Sequence, residues 1–361
     1  MLHLATTLDR GGAENALLHL AAEQVRAGHE VTAACLKGAA ELEPAFADAG
    51  VRIQHVGRDG FGVAGAVARA RRLVASLRPE VLHTHLFKAD TLGAALAGPR
   101  RRGARVLVST KHNEDVYLRE AAWRALGRRV AARADALVAI SPGVARFVRE
   151  TLGDAAARLD VIPYGLPPLA RAGDGAAFRR AHGIAADAPL ALCVARLAEQ
   201  KDHATLLAAW RALPSPPHLV LLGRGPLETE LRRRVQGLPV TFAGFVDDPA
   251  DAYAAADVVV LASRHEGLGL VLLEAAQHGV PAVATRVGGI PDVVEDGATG
   301  LLVPAGDATA LAGAVACVFA DAALRTRLGG AARERVAARH ALGPYAAAHE
   351  RLYRELLGAR A

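Results

Sequence analysis

Cysteine is scarce in this chain, and the little there is forms no pattern. Cys35, Cys193 and Cys317 are scattered, odd in number and never in a C-x-x-C spacing. That excludes a disulfide framework and leaves buried thiols in a reducing compartment as the expectation. No run of roughly 18 apolar residues occurs, so no transmembrane helix is expected. The first ten residues, from Met1 to Arg10, lack the basic segment and long apolar stretch of a secretory signal, and a cytoplasmic location is expected. Several chemical signatures are also missing. There is no G-x-S-x-G elbow, no Walker A loop, no nucleic-acid-binding signature, and no H-E-x-x-H or zinc spacing among the 14 histidines. The glycine turn after the first strand, Gly11-Gly12-Ala13-Glu14, is not the six-residue G-x-G-x-x-G fingerprint, which argues against NAD binding there.

What is present is a well-cored globular composition. The chain has 361 residues, enough for two domains of ordinary size, with 52% hydrophobic and 22% charged residues. Its net charge of +6 is uneven. Residues 1–165 carry 23 Lys+Arg against 17 Asp+Glu, a difference of +6, and residues 166–361 carry 20 of each. The densest basic clusters are Arg69-Arg71-Arg72-Arg78, Arg100-Arg101-Arg102-Arg105 and Arg119-Arg124-Arg128-Arg129-Arg133. Such surface suits anionic partners such as phospholipid headgroups or a pyrophosphate-linked acceptor, and it equally suits solvated helix faces.

Short apolar runs alternate with helical patterns throughout. Leu2–Thr6, Glu30–Leu36, Val51–Val56, Val81–Thr84, Arg105–Thr110, Ala136–Ile140 and Leu159–Ile162 read as strands of a first half. They mostly lack polar alternation, as strands covered on both faces do. Between them lie helical patterns at Ala13–Ala27, Val63–Leu77 and Glu120–Ala134, and Ser141-Pro142 fits an N-cap followed by proline. The pattern pauses at Tyr164-Gly165-Leu166-Pro167-Pro168 and the stretch to Gly175, the best linker candidate. A second series follows: Leu190–Ala195, His218–Leu222, Val240–Ala243, Val258–Leu261, Ala282–Ala284 and Gly300–Val303. Strand–helix alternation of this kind predicts doubly wound parallel sheets. Pro344–Leu357 reads as one amphipathic helix with Tyr345, His349, Leu352, Tyr353 and Leu356 along its seam. On the pattern Glu120–Ala134, Ala122, Trp123, Leu126 and Val130 share a face that fits either a sheet or a membrane surface.

The residues that carry chemistry fall at strand ends. Gly11-Gly12-Ala13-Glu14 follows the first strand and opens a helix, where glycine permits close backbone approach and the helix terminus favours anions. Arg196 and Lys201 follow the first strand of the second half, a rigid fork and a point charge that can neutralise a diphosphate. Gly223-Arg224-Gly225-Pro226 ends another strand. Glu266 and Glu274 bracket E-G-L-G-L-V-L-L-E, the first on a loop and the second on the following helix, with Leu270 and Val271 at the helix start. Gly288-Gly289-Ile290-Pro291-Asp292 comes next. His85 and His112 lie just beyond strands, where open α/β sheets collect ligands; His83 is expected to point away from His85.

This constellation resembles the retaining nucleotide-sugar glycosyltransferases of family 4, nearly from end to end. The resemblance implies an α/β GT-B fold: two Rossmann-like domains with an interdomain cleft. Residues 1–165 would bind the acceptor and 166–341 the nucleotide sugar, and 342–361 would cross back to the first domain. It further implies that Gly12 faces the donor diphosphate and that Arg196 and Lys201 bind the phosphates. Leu270 and Val271 would offer backbone N–H groups, Gly223 and Arg224 would lie near the base, and Glu274 would hold the ribose. Glu266 and His112 would organise the donor sugar. Asp292 stands where the family more usually has glutamate, and Tyr164 where many members have asparagine. No D-x-D sequence is present, so cations and a helix terminus replace a metal and no metal or other cofactor is expected. The implied partners are a nucleotide-sugar donor, a glycan or lipid-linked acceptor and an anionic membrane surface, with no nucleic acid. The implied setting is envelope polysaccharide, lipopolysaccharide or glycolipid synthesis at the inner membrane face. Two alternatives stay open: a GT-B nucleotide-sugar epimerase, and a non-catalytic nucleotide-sugar-binding subunit.

Overall fold

The structure is a computed structural model that describes residues 1–57, 62–96, 104–155 and 158–359. The basic cluster at Arg100, Arg101 and Arg102 lies outside the described residues. The chain divides into two compact units, Met1–Pro167 with Ala341–Ala361, and Pro168–His340.

The first unit is built on strands β1 (Leu2–Ala5), β2 (Thr32–Cys35), β3 (Arg52–His55), β4 (Val81–His85), β5 (Val106–Lys111), β6 (Ala136–Ala139) and β7 (Leu159–Val161). Among the described residues they form one seven-stranded parallel sheet in the order β3-β2-β1-β4-β5-β6-β7. Every residue of β1, β2, β4, β5 and β6 is buried, as both-face coverage by helices requires. Only the edge strands β3 and β7 carry exposed positions. The chain leaves β1 in one direction for β2 and β3, then returns to its other side at β4. That reversal makes the β1/β4 junction the topological switch point, outside whose carboxyl ends open α/β sheets bind ligands.

The second unit repeats the design. Its strands are β8 (Leu190–Val194), β9 (His218–Leu222), β10 (Val240–Gly244), β11 (Val258–Leu261), β12 (Ala282–Thr285) and β13 (Gly300–Val303). They pair in parallel in the order β10-β9-β8-β11-β12-β13, so the switch point is β8/β11. Each strand expected from the sequence is present.

Helices form where apolar spacing and caps allow. Gly12–Arg26 buries Ala16, Leu17, Leu20, Ala21 and Gln24 along one stripe. Pro142–Leu152 starts at Ser141, whose Oγ accepts from the Val144 N–H at 3.0 Å, with Pro142 in the first turn where its missing N–H removes no helical bond. The last helix, Leu342–Gly358, begins two residues before Pro344, which therefore also sits in the first turn. It buries Tyr345, His349, Leu352 and Tyr353 in the first unit and adds pairs from Glu350 to His29 (3.1 Å) and from Glu355 to Arg158 (2.7 Å).

Helix Ala121–Ala131 departs from the pattern of a sheet-covering helix. It buries Gly127, Val130 and Ala131, while Trp123 and Leu126 remain 44% and 40% exposed. Gly127 is small for a reason: a Cβ there would sit 2.9 Å from Leu118 Cδ2 and 3.0 Å from Leu152 Cδ2. Among the described residues no single helix is long and apolar enough to cross a membrane. Helices Ala308–Ala320 and Ala322–Arg339 pass that test only as a pair bent by 102°, and they bury Leu311, Val315, Val318, Leu328 and Val336.

Candidate functional site

In the second unit the loops after β8 and β11 are stitched together across the switch point. Gln200 Nε2 donates to the His265 carbonyl (3.0 Å), and the Arg264 N–H donates to the Gln200 carbonyl (2.9 Å). Beside these bonds the Lys201 ammonium donates to Glu266 Oε1. The same carboxylate oxygen accepts from Ser263 Oγ (2.9 Å), and Thr285 Oγ1 in turn donates to the Ser263 carbonyl (2.6 Å). Glu266 is buried and so is held in one orientation. Its backbone is fixed from below by the loop after β12, where the Gly289 N–H donates to the Glu266 carbonyl at 3.2 Å. Lys201 is aimed by the turn that follows it: Asp202 takes a left-handed φ of 45°, caps helix His203–Ala212 through Thr205, and pairs with Arg264 at 3.1 Å.

Arg196 and Arg224 project from adjacent loops and are exposed. The loops are backbone-paired, Leu197 N–H to the Arg224 carbonyl and Leu227 N–H to the Leu197 carbonyl, both at 3.0 Å. Gly223 permits this. Its φ is 145°, and a Cβ there would meet the Ala195 carbonyl oxygen at 2.1 Å. Arg196 has no side-chain partner among the described residues, so its guanidinium is available to an anion.

Helix Leu270–Gln277 starts from Gly269, in the left-handed region at φ 82°. Leu270 and Val271 are its first two residues, whose N–H groups have no intrahelical acceptor and form a local anion site. Glu274 lies one turn on. Burial raises its carboxyl above the ordinary range, and a hydrogen bond from the Tyr253 hydroxyl (2.7 Å) works against that rise. The Tyr253 hydroxyl also lies 3.2 Å from the Val271 carbonyl oxygen, and its ring stacks on His278 with centroids 5.2 Å apart. Tyr253 and Ser263 were not singled out from the sequence. Both sit in apolar or small-residue strings, A-D-A-Y-A-A and L-A-S-R, that carry no periodic signal.

In the first unit, Gly11 caps helix Gly12–Arg26 and Gly12, exposed, is its first residue. Thr7 Oγ1 donates to Glu14 Oε1 across this loop at 2.6 Å. His85 ends β4 and His112 lies one residue past β5. Their rings meet, His85 Nδ1 to His112 Nε2 at 3.0 Å, and the Tyr164 hydroxyl engages His112 Nδ1. His112 thus uses both ring nitrogens inside the protein. Burial, then the charge of Lys111, lowers its pKa to about 3, so it is neutral. The Lys111 ammonium is itself buried and paired to Asp90 at 2.5 Å, with Thr84 and Ser109 donating to the other Asp90 oxygen at 2.6 and 2.7 Å.

His83 does not point away from His85. Their rings lie 4.3 Å apart, because residues two apart on a strand share a face. His3, on neighbouring β1, completes a buried trio whose ring nitrogens lie within 4.8 Å of one another. Those nitrogens are already engaged in hydrogen bonds with Gln24, Tyr353, Thr110, His112 and each other, which a metal would have to displace.

Comparison with known proteins bears on the family and the fold. A profile described as Glycosyltransferase Family 4 matches residues 10–168, and one described as Glycosyl transferases group 1 matches residues 188–321. A lipopolysaccharide core biosynthesis glycosyltransferase, LpsE of Rhizobium meliloti, is 42% identical over 147 residues, which are 40% of this chain and 43% of that protein. A GDP-mannose-dependent phosphatidylinositol monomannoside mannosyltransferase of Mycolicibacterium smegmatis is 32% identical over 360 residues, covering 90% of both chains. The crystal structure of HepE from Anabaena with UDP and glucose superposes with a TM-score of 0.87 at 21% identity, over 98% of this chain and 99% of that one. With profiles matching in both halves and one relative aligned over nine-tenths of both chains, the chain belongs to glycosyltransferase family 4 and has the GT-B fold.

Proposed function

We propose that this protein transfers a sugar from a nucleotide-sugar donor to a hydroxyl acceptor, with retention of anomeric configuration and without a metal. The observation that carries the reading is the Lys201–Glu266 pair, fixed at the β8/β11 switch point with Ser263, Gly288 and Gly289 behind it. In this reading Arg196 and Lys201 take the diphosphate, assisted by the Leu270 and Val271 amides and by the Gly12 loop. Departure of a nucleoside diphosphate leaves negative charge on oxygen, and fixed cations stabilise it without reorganising. Those cations take the part a divalent ion plays elsewhere, so activity should persist in chelator. Glu274 accepts from the ribose hydroxyls, Gly223 and Arg224 lie by the base, and Glu266 and His112 order the sugar. The acceptor attacks from the face the leaving group vacates, and the departing phosphate takes its proton.

The second unit is the proposed donor-binding domain and the first, with the last helix, the proposed acceptor-binding domain. For the acceptor we favour a glycan or lipid-linked molecule at an anionic membrane. Supporting this, exposed Val116, Trp123 and Leu126 lie among Arg119, Arg124, Arg128 and Arg129. An apolar patch ringed by cations suits an interface of acidic headgroups. The test is a donor screen: UDP-, GDP- and ADP-sugars by thermal shift, followed by product analysis with and without acceptor, with the anomer read by NMR. Rearranged donor in the absence of acceptor would favour an epimerase, and binding without turnover on any acceptor would favour a non-catalytic subunit. Co-sedimentation with anionic vesicles, lost in Trp123→Ala, tests the membrane contact.

A further inference from the structure

Gln24, His3, His85, His112 and Tyr164 of the first unit form one hydrogen-bonded chain, and its direction can be deduced. Gln24 presents Oε1, which only accepts, to His3 Nε2 at 2.7 Å. His3 therefore carries its proton on Nε2 and accepts at Nδ1, from His85 Nε2 at 3.1 Å. His85 must then accept at Nδ1, from His112 Nε2 at 3.0 Å. His112 in turn accepts at Nδ1, from the Tyr164 hydroxyl. On the far side the Gln24 amide faces the Tyr353 hydroxyl (3.5 Å), which meets His83 Nδ1 (2.6 Å), and His83 Nε2 pairs with Thr110 Oγ1 (2.7 Å). Every imidazole of the series is buried. A neutral imidazole has one donor and one acceptor, so the Gln24 link fixes the directly joined rings of His3, His85 and His112.

We propose that Gln24, His85 and Tyr164 are positioning residues that hold His112 as the Nε2–H tautomer, with a lone pair on Nδ1 that the Tyr164 hydroxyl fills until a donor-sugar hydroxyl replaces it. The replacement rests on the reading of His112 as a sugar contact; the tautomer does not. His112 Nε2 is committed to His85, so Nδ1 is the one ring atom left to meet a sugar, and it can only accept. The sugar must supply a hydroxyl there, and Tyr164 is the internal group it displaces. Phenylalanine at position 164 would offer Nδ1 no donor.

The test joins a spectroscopic and a kinetic arm. In protein carrying 15N-labelled histidine, long-range 1H–15N correlation reads each ring's tautomer, and His112 is assigned by the loss of its signals in His112→Asn. Wild type should show His112 protonated on Nε2. Gln24→Glu, which still accepts from His3, should keep that state. Gln24→Met, which removes the acceptor that sets the direction, should give a mixture. Tyr164→Phe should keep the tautomer while Nδ1 shifts to the value of a nitrogen without a donor. A wild-type His112 protonated on Nδ1, or a Gln24→Met spectrum identical to wild type, overturns the directed chain. In the kinetic arm, Tyr164→Phe removes the competing hydroxyl. The donor KM should then fall by about three- to tenfold, the worth of one net hydrogen bond, with kcat unchanged. An unchanged or raised KM in a variant with wild-type melting overturns the exchange. If no nucleotide sugar is bound at all, the reading of function fails while the tautomer in unliganded protein is still measured.

Discussion

The carbonyl oxygen of Glu266 lies 1.7 Å from the place a Cβ on Gly288 would occupy. No side chain fits there, and Gly288 also has a φ of 50°, in the left-handed region that favours glycine. Gly288 is therefore the floor on which Glu266 rests. Gly288→Ala should push the Glu266 backbone away, lower turnover by about tenfold or more, and cost about 1–3 kcal/mol of stability through strain. Chemical denaturation alongside steady-state kinetics measures both. A variant of normal stability and activity would remove Gly288 from the site.

Lys201 should matter mainly in the transition state, when charge builds on the leaving diphosphate. Lys201→Ala is expected to lower kcat on the order of 10²-fold, with a smaller change in donor KM. Wild-type turnover by this variant would take Lys201 out of the reaction.

Glu274 and Tyr253 should separate binding from chemistry. The tyrosine hydroxyl opposes the burial that raises the Glu274 carboxyl. Tyr253→Phe should raise that pKa further and weaken the donor site. Donor KM is expected to rise by about tenfold, the worth of one hydrogen bond to a charged group, with kcat nearly constant. The rise should be steeper on the acid side of the profile, because protonated Glu274 offers ribose one acceptor fewer. A pure kcat defect would contradict the assignment.

Buried neutral histidines make the first unit acid-sensitive. Burial lowers His3 and His349 to about 4 and His112 to about 3, and takes His83 and His85 well below the ordinary 6.5. The unfolded chain binds protons below 6.5 that the folded protein excludes, so unfolding is favoured as pH falls. Stability is therefore full above 6.5 and lost as pH drops from there toward the folded values. Each such histidine contributes a slope approaching about 1.4 kcal/mol per pH unit. Thermal unfolding followed across this range should show a steep loss, and His349→Gln should reduce the slope by about one proton. A flat profile would mean the rings are not held neutral.

Asp90 neutralises the buried Lys111 ammonium just before His112. Asp90→Ala should cost about 3–5 kcal/mol, the penalty for leaving a buried charge without its partner, measured by urea unfolding. Replacing both as Asp90→Leu with Lys111→Met should recover most of the loss. Failure of the pair to recover stability would point to a different role for the aspartate.

The sheets were legible because parallel strands buried on both faces read as unbroken apolar runs. The strand ends were legible because glycine and charge interrupt those runs: Gly223, Gly269, Gly288, Lys201 and Glu266 each mark one. What the sequence hid lies in contacts between distant residues. Tyr253 reaches Glu274 over 21 positions, and His83 reaches Tyr353 over 270. No local periodicity encodes such meetings. The same limit affects helix Ala121–Ala131. Its apolar stripe is spaced for burial, yet Trp123 and Leu126 face outward because Gly127 and Val130 make the close contact. The pairing of His83 with His85 was there to be read, since two residues apart on a strand means one face.

The most direct test is calorimetric titration of UDP, GDP and ADP into the wild-type protein and into Arg196→Ala/Lys201→Ala. Capture of the pyrophosphate by these two cations predicts that at least one nucleotide binds wild type, and that the double variant loses at least about tenfold in affinity while melting normally. Equal affinity in both proteins would contradict it.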